Sequence, residues 1–304
     1  MKTVDIIIPS YKPGAEFEDL LKRLDAQHVQ AEHWIIMNTE EQYWDSRWEE
    51  LYPQLQVHHV TKESFNHGGT RMQGAGYSHA DVMVFMTQDA LPADRDLIGN
   101  LLAALEQEER IGAAYARQLP KKDCGFLERY TRAFNYPEES HVRWEADLEK
   151  FGIKTFFCSN VCAAYKRDVF DALGGFVEKA IFNEDMIYAG GLIHAGYGIA
   201  YAAGARVYHS HNYSGIAQFH RNFDLGVSQA EHPEIFADVP SEGEGIALVK
   251  RSLQHLLKTN HPELIPTLIY QSGCKYLGYL AGKHYQKLPK TLILKFTMMP
   301  SYWE

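Results

Sequence analysis

The feature that most narrows the fold of this chain is a series of short apolar runs, each stopping at a polar or proline-containing turn. Val4-Asp5-Ile6-Ile7-Ile8 stops at Pro9-Ser10, and the run His33 to Met37 stops at Asn38-Thr39. Val57 to Val60 and Ile111 to Ala116 behave alike, and Val82 to Met86 stops at Thr87-Gln88-Asp89. Runs this short, apolar and β-branched read as strands buried on both faces. Helical patterns lie between them. Leu20, Leu21 and Leu24 share a helix face, Asn66 to Ala80 reads as a loop feeding a helix, and Leu97 to Glu108 is amphipathic. Strands alternating with helices predict right-handed βαβ units and a mostly parallel α/β sheet. In such sheets ligands bind at the carboxyl ends of the strands.

Beyond residue 116 the pattern loosens. Leu119 to Lys154 is rich in aromatic and charged residues and reads as an excursion over the active-site side. Phe156 to Asn160 and Ala163 to Tyr165 read as a strand region. Arg167 to Leu173 reads as a helix stopped by Gly174-Gly175, and Asn183 to Ala195 as a helix closed by Gly196. Ile199 to Ala202 and Ala205 to His209 read as two short strands. Ser241 to Gly245 is the expected linker, followed by a helix whose Ile246, Val249, Leu253 and Leu256 form an apolar stripe. The expected organisation is a catalytic α/β domain over residues 1–240 and a helical extension over 246–304. Trp44, Trp48 and Tyr52 are spaced as one helical face, and core packing is favoured for them over a sugar platform.

With 45% hydrophobic and 23% charged residues, the composition is that of an ordinary globular protein. No run approaches the length of a membrane span. The N-terminus carries an acid in its apolar stretch and lacks the small-residue cleavage site of a signal peptide. Cys124, Cys158, Cys162 and Cys274 form no disulfide framework; buried free thiols are favoured over a zinc site. These features point to the cytosol. The net charge of -9 argues against nucleic acid as a partner. From Ile246 to the end, eight Lys/Arg stand against two Glu, so that tail carries +6 and the remainder -15. A basic tail on an acidic body reads equally as a solvated helical face or as a surface for an anionic partner such as membrane headgroups.

Several residues could carry chemistry. Asp89 follows a buried strand and reads equally as a turn cap or as a ligand for Mg²⁺ or Mn²⁺, which take carboxylate oxygens and keep substrate phosphates in their shell. His67-Gly68-Gly69-Thr70-Arg71 opens a helix. Its glycines would let backbone amides approach a phosphate, and Arg71 could pair with one; the alternative is a plain loop-to-helix connection. Glu184-Asp185 starts a predicted helix, where the dipole stabilises a carboxylate; that suits either helix-start chemistry or a general base. His209-Ser210-His211 follows a short strand, and an imidazole there reads as structural or as a metal ligand.

The order of these segments resembles family 2 glycosyltransferases of the GT-A fold, and within them the bacterial rhamnosyltransferases. Ile6-Ile7-Ile8-Pro9-Ser10-Tyr11-Lys12 is similar to the family's first strand and nucleotide-binding loop. Trp34 to Thr39 resembles the second strand, with Asn38 at its base-contacting end. Phe65-Asn66-His67-Gly68-Gly69-Thr70-Arg71 is similar to the rhamnosyltransferase-type diphosphate loop. Thr87-Gln88-Asp89-Ala90 stands where the family has its metal-binding Asp-x-Asp, with Thr87 replacing the first Asp. Gly174-Gly175-Phe176 and Asn183-Glu184-Asp185 resemble the acceptor region, and His209 falls where relatives place a third metal ligand. The resemblance covers about Val4 to His211.

The resemblance implies direct, inverting transfer of a sugar from a nucleotide diphosphate. It places Pro9, Ser10, Tyr11, Asn38, Asn66, His67, Gly68, Gly69, Arg71 and Gln88 at the nucleotide sugar. It places Asp89 and His209 at Mg²⁺ or Mn²⁺, and Asp185 as base with Glu184 beside it as a sugar or acceptor contact. It implies dTDP-L-rhamnose as donor and a cell-surface polysaccharide or lipid-linked glycan precursor as acceptor. The expected setting is cytoplasmic, peripheral to the inner face of the cell membrane if the tail binds lipid; the competing account is that the tail packs on the catalytic domain or forms a homodimer. The rival from another class is a nucleotide-sugar-binding or scaffold protein without turnover, which the replacement at Thr87 favours. A nucleotidyltransferase would want a glycine-rich loop after the first strand, and Pro9 to Gly14 is too poor in glycine for it.

Overall fold

The computed structural model describes residues 2–239 and 242–303, which form two compact units. The first comprises residues 2–119, 136–180 and 184–209; the second comprises 120–135, 181–183 and the described residues from 210 onward. The helical unit thus starts at Ser210, earlier in the chain than the 240–246 boundary read from composition, and includes a separate helix from before residue 136. Of the expected linker, Ser241 lies outside the described residues and residues 242–245 open a helix.

The first unit is built on a sheet of nine strands: β1 (Val4–Tyr11), β2 (His33–Thr39), β3 (Leu55–Val60), β4 (Val82–Met86), β5 (Leu91–Pro92), β6 (Ile111–Leu119), β7 (His141–Arg143), β8 (Cys162–Lys166) and β9 (Gly198–Tyr208). Their order is β3-β2-β1-β4-β8-β6-β9-β5, with β7 paired to β9. The helices that matter below are α1 (Ala15–Asp25), α2 (His67–Tyr77), α3 (Leu97–Leu105), α4 (Phe126–Asn135), α5 (Glu184–His194), α6 (Gly215–Glu231), α7 (Glu242–Lys258) and α8 (Ile265–Lys283).

The N-terminal half of the sheet is parallel, as the apolar runs predict. Asp5 pairs with His33 and Val4 with Val82, each strand running alongside its neighbour. Every residue of β4 is buried, which is what a central strand covered on both faces requires. The other half mixes directions. β8 runs antiparallel to both β4 and β6, while β6 and β9 are parallel. A strand buried on both faces is apolar in either direction, so the direction of Ala163 and Ala164 could not be read from their chemistry. The segment 156–160 expected as strand is the end of a 3-10 turn and a loop. The two short strands expected between Ile199 and His209 are one strand, β9, whose pairing with β6 jumps from Ala116↔Ala202 to Arg117↔Arg206. This bulge explains the break in the pattern. The core includes Phe17, Trp34, Trp48 and Tyr52, with Trp44 packed against it, so the aromatic stripe serves packing. All four cysteines are free, and Cys124, Cys158 and Cys162 are buried.

The second unit is helical, with a core of Ile181, Phe223, Val227 and Ile293. α6 and α8 touch backbone to backbone because glycines line the seam. A Cβ on Gly282 would overlap the carbonyl oxygen of Phe223, one on Gly278 that of Phe219, and one on Gly226 that of Tyr279. Asp224 on α6 accepts hydrogen bonds from Thr297 Oγ1 (2.7 Å) and the Met298 amide (2.8 Å), tying down the C-terminal segment. Among the described residues no helix is long and apolar enough to cross a membrane. Gly282→Leu is expected to force the α6–α8 seam apart, costing about 1–3 kcal/mol by overpacking. Thermal denaturation checks this; an unchanged midpoint would show that the seam tolerates separation.

Candidate active site

The carboxyl ends of the parallel strands carry two small networks. At the ends of β1 and β2, Ser10 Oγ donates to Asn38 Oδ1 (3.2 Å), and Asn38 Nδ2 donates to the Glu40 carbonyl (3.1 Å). Both Ser10 and Asn38 are buried. One residue further on, Gln88 clips the β1 end to the turn after β4: its Oε1 accepts from the Tyr11 amide (2.9 Å) and its Nε2 donates to the Tyr11 carbonyl (3.1 Å). Pro9, half-buried, comes just before Ser10 on β1. The Tyr11 ring is exposed and meets Tyr43 edge-on at 5.7 Å. The Lys12 ammonium stands 5.2 Å from one ring and 4.9 Å from the other. Lys12 holds a positive φ of 49°, a strained conformation for a non-glycine residue. Tyr43 was invisible to motif reading because it lies in a short 3-10 turn with no signature of its own.

The His-Gly-Gly segment is the first turn of α2. Asn66 is its N-cap, extended in backbone, with Oδ1 accepting from the Gly69 amide at 2.6 Å. A Cβ on Gly68 would overlap the Val177 carbonyl oxygen and lie 3.7 Å from the Glu184 Cβ. A Cβ on Gly69 would sit 2.8 Å from the Glu178 carbonyl oxygen. The two glycines therefore let the 177–178 segment and the start of α5 press against α2. The His67 carbonyl accepts from Arg71 Nη1 at 3.1 Å. Arg71 itself is buried, and the same Nη1 stands 3.1 Å from Glu184 Oε1.

Glu184 and Asp185 open α5 and differ sharply in environment. Burial alone would raise the Glu184 pKa, but the Arg71 guanidinium, His67 and a 3.1 Å hydrogen bond from Asn160 Nδ2 hold it below the ordinary glutamate value. Asp185 is pushed up to about 7, first by burial and then by the charge of Glu184. Its Oδ2 accepts from the Asn160 amide (2.9 Å) and its Oδ1 from the Met186 amide (2.8 Å). Asn160 is fixed in turn by Tyr165, whose hydroxyl donates to Asn160 Oδ1 at 2.8 Å. One carboxylate is thus held ionised, and its neighbour is poised to exchange a proton near neutral pH. Asn160 and Tyr165 were not found from sequence, because they act on Glu184 and Asp185 through a loop and strand distant in the chain.

Asp89 and His209 come together through the shortest strand. β5 pairs Leu91 with Tyr208, which brings the turn after β4 beside the end of β9. His209 Nε2 lies 3.5 Å from Asp89 Oδ2. The other ring nitrogen, Nδ1, is 2.9 Å from Gln118 Oε1 on β6, and Gln118 Nε2 donates to Ser159 Oγ (3.1 Å). That arrangement places the ring proton on Nδ1 and turns the Nε2 lone pair toward Asp89. A carboxylate oxygen and an imidazole nitrogen so oriented fit Mn²⁺ or Mg²⁺. Gln118 escaped sequence reading because its contact depends on the register of β6 with β9.

The Arg71–Glu184 pair generates a test. Removing one partner from a buried pair leaves an uncompensated charge, at about 3–5 kcal/mol. Arg71→Met is expected to lose that much stability, and Arg71→Met with Glu184→Gln to recover a large part of it. Denaturant unfolding of the four members of the cycle measures this; additive losses would show that the two residues do not interact.

Comparisons with known proteins give the family and the fold. Residues 5–174 match the family model described as Glycosyl transferase family 2. Over 302 residues the chain is 41% identical to the O-antigen chain rhamnosyltransferase RfbN of Salmonella typhimurium, covering 99% of this chain and 96% of the relative. It is 39% identical over 306 residues to the O-antigen chain rhamnosyltransferase WbaN of Salmonella anatum, covering 100% and 96%. Among solved structures, the mannosyltransferase PcManGT from Pyrobaculum calidifontis, in complex with GDP-Man and Mn²⁺, superposes with a TM-score of 0.58 at 18% identity, over 99% of this chain and 84% of that one. S. aureus TarS 1–349 in complex with UDP-GlcNAc gives 0.52 at 14% identity, over 94% and 92%. At these identities the likeness establishes the fold, which is the expected GT-A type. The chain belongs to glycosyl transferase family 2.

Proposed function

We propose that the chain transfers L-rhamnose from dTDP-L-rhamnose to a hydroxyl of a cell-surface polysaccharide precursor, inverting the anomeric centre. The similarity to two O-antigen chain rhamnosyltransferases along nearly the whole of each chain supports the sugar and the acceptor class. The observation that carries the chemistry is the buried Glu184–Asp185 pair, in which Asp185 alone is brought to a pKa of about 7. A base for an acceptor hydroxyl works best near the operating pH.

In this reading Asp185 takes the proton as the hydroxyl oxygen attacks C1 of the donor sugar and the nucleotide diphosphate departs. The amides of Asn160 and Met186 fix the carboxylate in orientation. Asp89 and His209 would hold Mn²⁺ or Mg²⁺, which neutralises charge on the leaving diphosphate, and Gln118 keeps His209 turned to that task. Tyr11, with Tyr43 and Lys12, offers an exposed aromatic and cationic surface for the nucleotide, and Pro9, Ser10, Asn38 and Gln88 shape its floor. Asn66, His67, Gly68 and Gly69 contribute the first turn of α2 to the diphosphate. Arg71 acts through Glu184, to which it is paired.

The acceptor is read as lipid-linked and the setting as cytoplasmic, peripheral to the membrane, because the +6 tail combines basic charge with exposed apolar side chains. Thr87, in place of an acid, leaves open a second reading as a nucleotide-sugar-binding protein without turnover. Calorimetric titration with dTDP-L-rhamnose and UDP-sugars, with Mn²⁺ and with EDTA, followed by a transfer assay, separates the two. Binding of dTDP-L-rhamnose strengthened by Mn²⁺, with sugar transfer, is expected; binding without transfer on any glycan precursor would favour the second. Asp185→Asn is expected to retain donor binding and lose about 10²- to 10⁴-fold in transfer rate. Near-normal transfer by this variant would remove Asp185 from the role of base.

A further inference from the structure

The helical unit holds a cavity of about 1100 Å³ among α4, α6, α7 and α8. That is the size of a ligand site rather than of a packing defect. Its walls are mostly apolar, with Phe126, Leu225, Val249, Leu264, Leu268 and Tyr279 among them. Its lining includes His211, a candidate metal ligand two residues beyond His209, but none of the donor or base groups described above.

One charged side chain in the lining stands out. Lys275 makes no hydrogen bond and no ion pair among the described residues. Burial pulls its pKa below the ordinary lysine value, opposed by Glu128 and reinforced by Arg221 and Arg132. The Glu128 carboxylate is already committed to Arg132 at 2.6 Å. A half-buried ammonium in an apolar cavity, facing two further cations and one neutralised acid, lacks an anion.

The outer face of α8 completes the pattern. Ile269, Tyr270, Tyr276 and Leu277 are 64%, 54%, 55% and 59% exposed, and their spacing puts them on one helix face. Tyr276 also lines the cavity, as does the exposed Ile246 on α7. Cavity and exposed apolar face are therefore continuous, which gives a long chain a way in.

We propose that this cavity binds the hydrocarbon chain of a single-chain anionic amphiphile whose head group pairs with Lys275. The apolar walls recognise the chain and the unpaired ammonium recognises the charge. An isoprenoid diphosphate and a fatty acid both carry an anionic head group on a single hydrocarbon chain. The site is a property of the helical unit and does not depend on the identity of the transferred sugar.

The test uses the purified full chain without donor or acceptor, so a failure here is distinct from a failure of transfer. A dansyl-labelled undecanoic acid is titrated by fluorescence and then displaced by farnesyl diphosphate, oleate or farnesol. Saturable binding is expected, with at least one of the two anions displacing the probe about tenfold more effectively than the neutral alcohol; the stronger anion identifies the isoprenoid or the acyl source. Lys275→Met should erase that advantage while leaving farnesol unchanged, and Leu268→Trp should fill the cavity and weaken all three. Lys275→Met alone decides the matter if Leu268→Trp fails to fold by circular dichroism. Absence of saturable binding would overturn the proposal, and so would displacement indifferent to Lys275→Met. A concentration-dependent dimer that occludes the cavity, without amphiphile binding, would also overturn it and assign the surface to a second copy.

Discussion

The buried contact between Arg71 and Glu184 joins the start of α2 to the start of α5, and much of the first unit's chemistry hangs on it. Two charges removed from water repay their desolvation only with good geometry and further hydrogen bonds. Here the guanidinium also reaches the His67 carbonyl, and Asn160 donates to the Glu184 carboxylate. The consequence is electrostatic. Burial is the larger cause that holds the proton on Asp185, and the ionised Glu184 beside it makes a second negative charge costlier still, so the proton is retained up to about neutral pH. Without Arg71, Glu184 would lose the charge that tunes its neighbour. The glycines of α2 belong to the same design, because side chains at Gly68 or Gly69 would collide with the carbonyl oxygens of Val177 and Glu178 on the segment leading to α5.

A second constraint, the sheet register, builds the candidate metal site from residues far apart in sequence. Asp89 follows β4 and His209 follows β9, and only the brief β5–β9 pairing makes them neighbours. Gln118 arrives through β6, whose register with β9 is displaced by the bulge at residues 203–205. Without that bulge Gln118 would face a different level of β9. The strands thus supply both placement and orientation, and the segments just after β4 and β9 carry Asp89 and His209, as in other open α/β sheets.

The parallel half of the sheet was legible because buried parallel strands announce themselves as apolar runs ending in turns, as Ile6-Ile7-Ile8-Pro9-Ser10 does. Asp89, Glu184 and Asp185 were legible as acids at strand or helix ends. The role of Arg71 was not: a basic residue after two glycines suggests a phosphate, and only the fold shows its guanidinium buried against Glu184. Asn160, Tyr165 and Gln118 were hidden because each acts by tertiary hydrogen bonding, which has no local period. The direction of β8 was hidden because Ala163 and Ala164 carry no signal of it. The membership of helix α4 in the helical unit was hidden because its partners are distant in the chain, most of them beyond residue 210.

The central claim is that Glu184, held ionised by Arg71, adds to burial in raising the proton affinity of Asp185. The pH dependence of kcat in the wild type and in Glu184→Gln measures it most directly. In the proposed mechanism Asp185 acts deprotonated, so the wild-type rate should rise through an acidic limb near pH 7. Replacing Glu184 by a neutral residue removes the repulsion that raises the pKa, so the limb should move to lower pH, whatever the loss in absolute rate. A limb that stays in place in Glu184→Gln, or moves upward, would contradict the account.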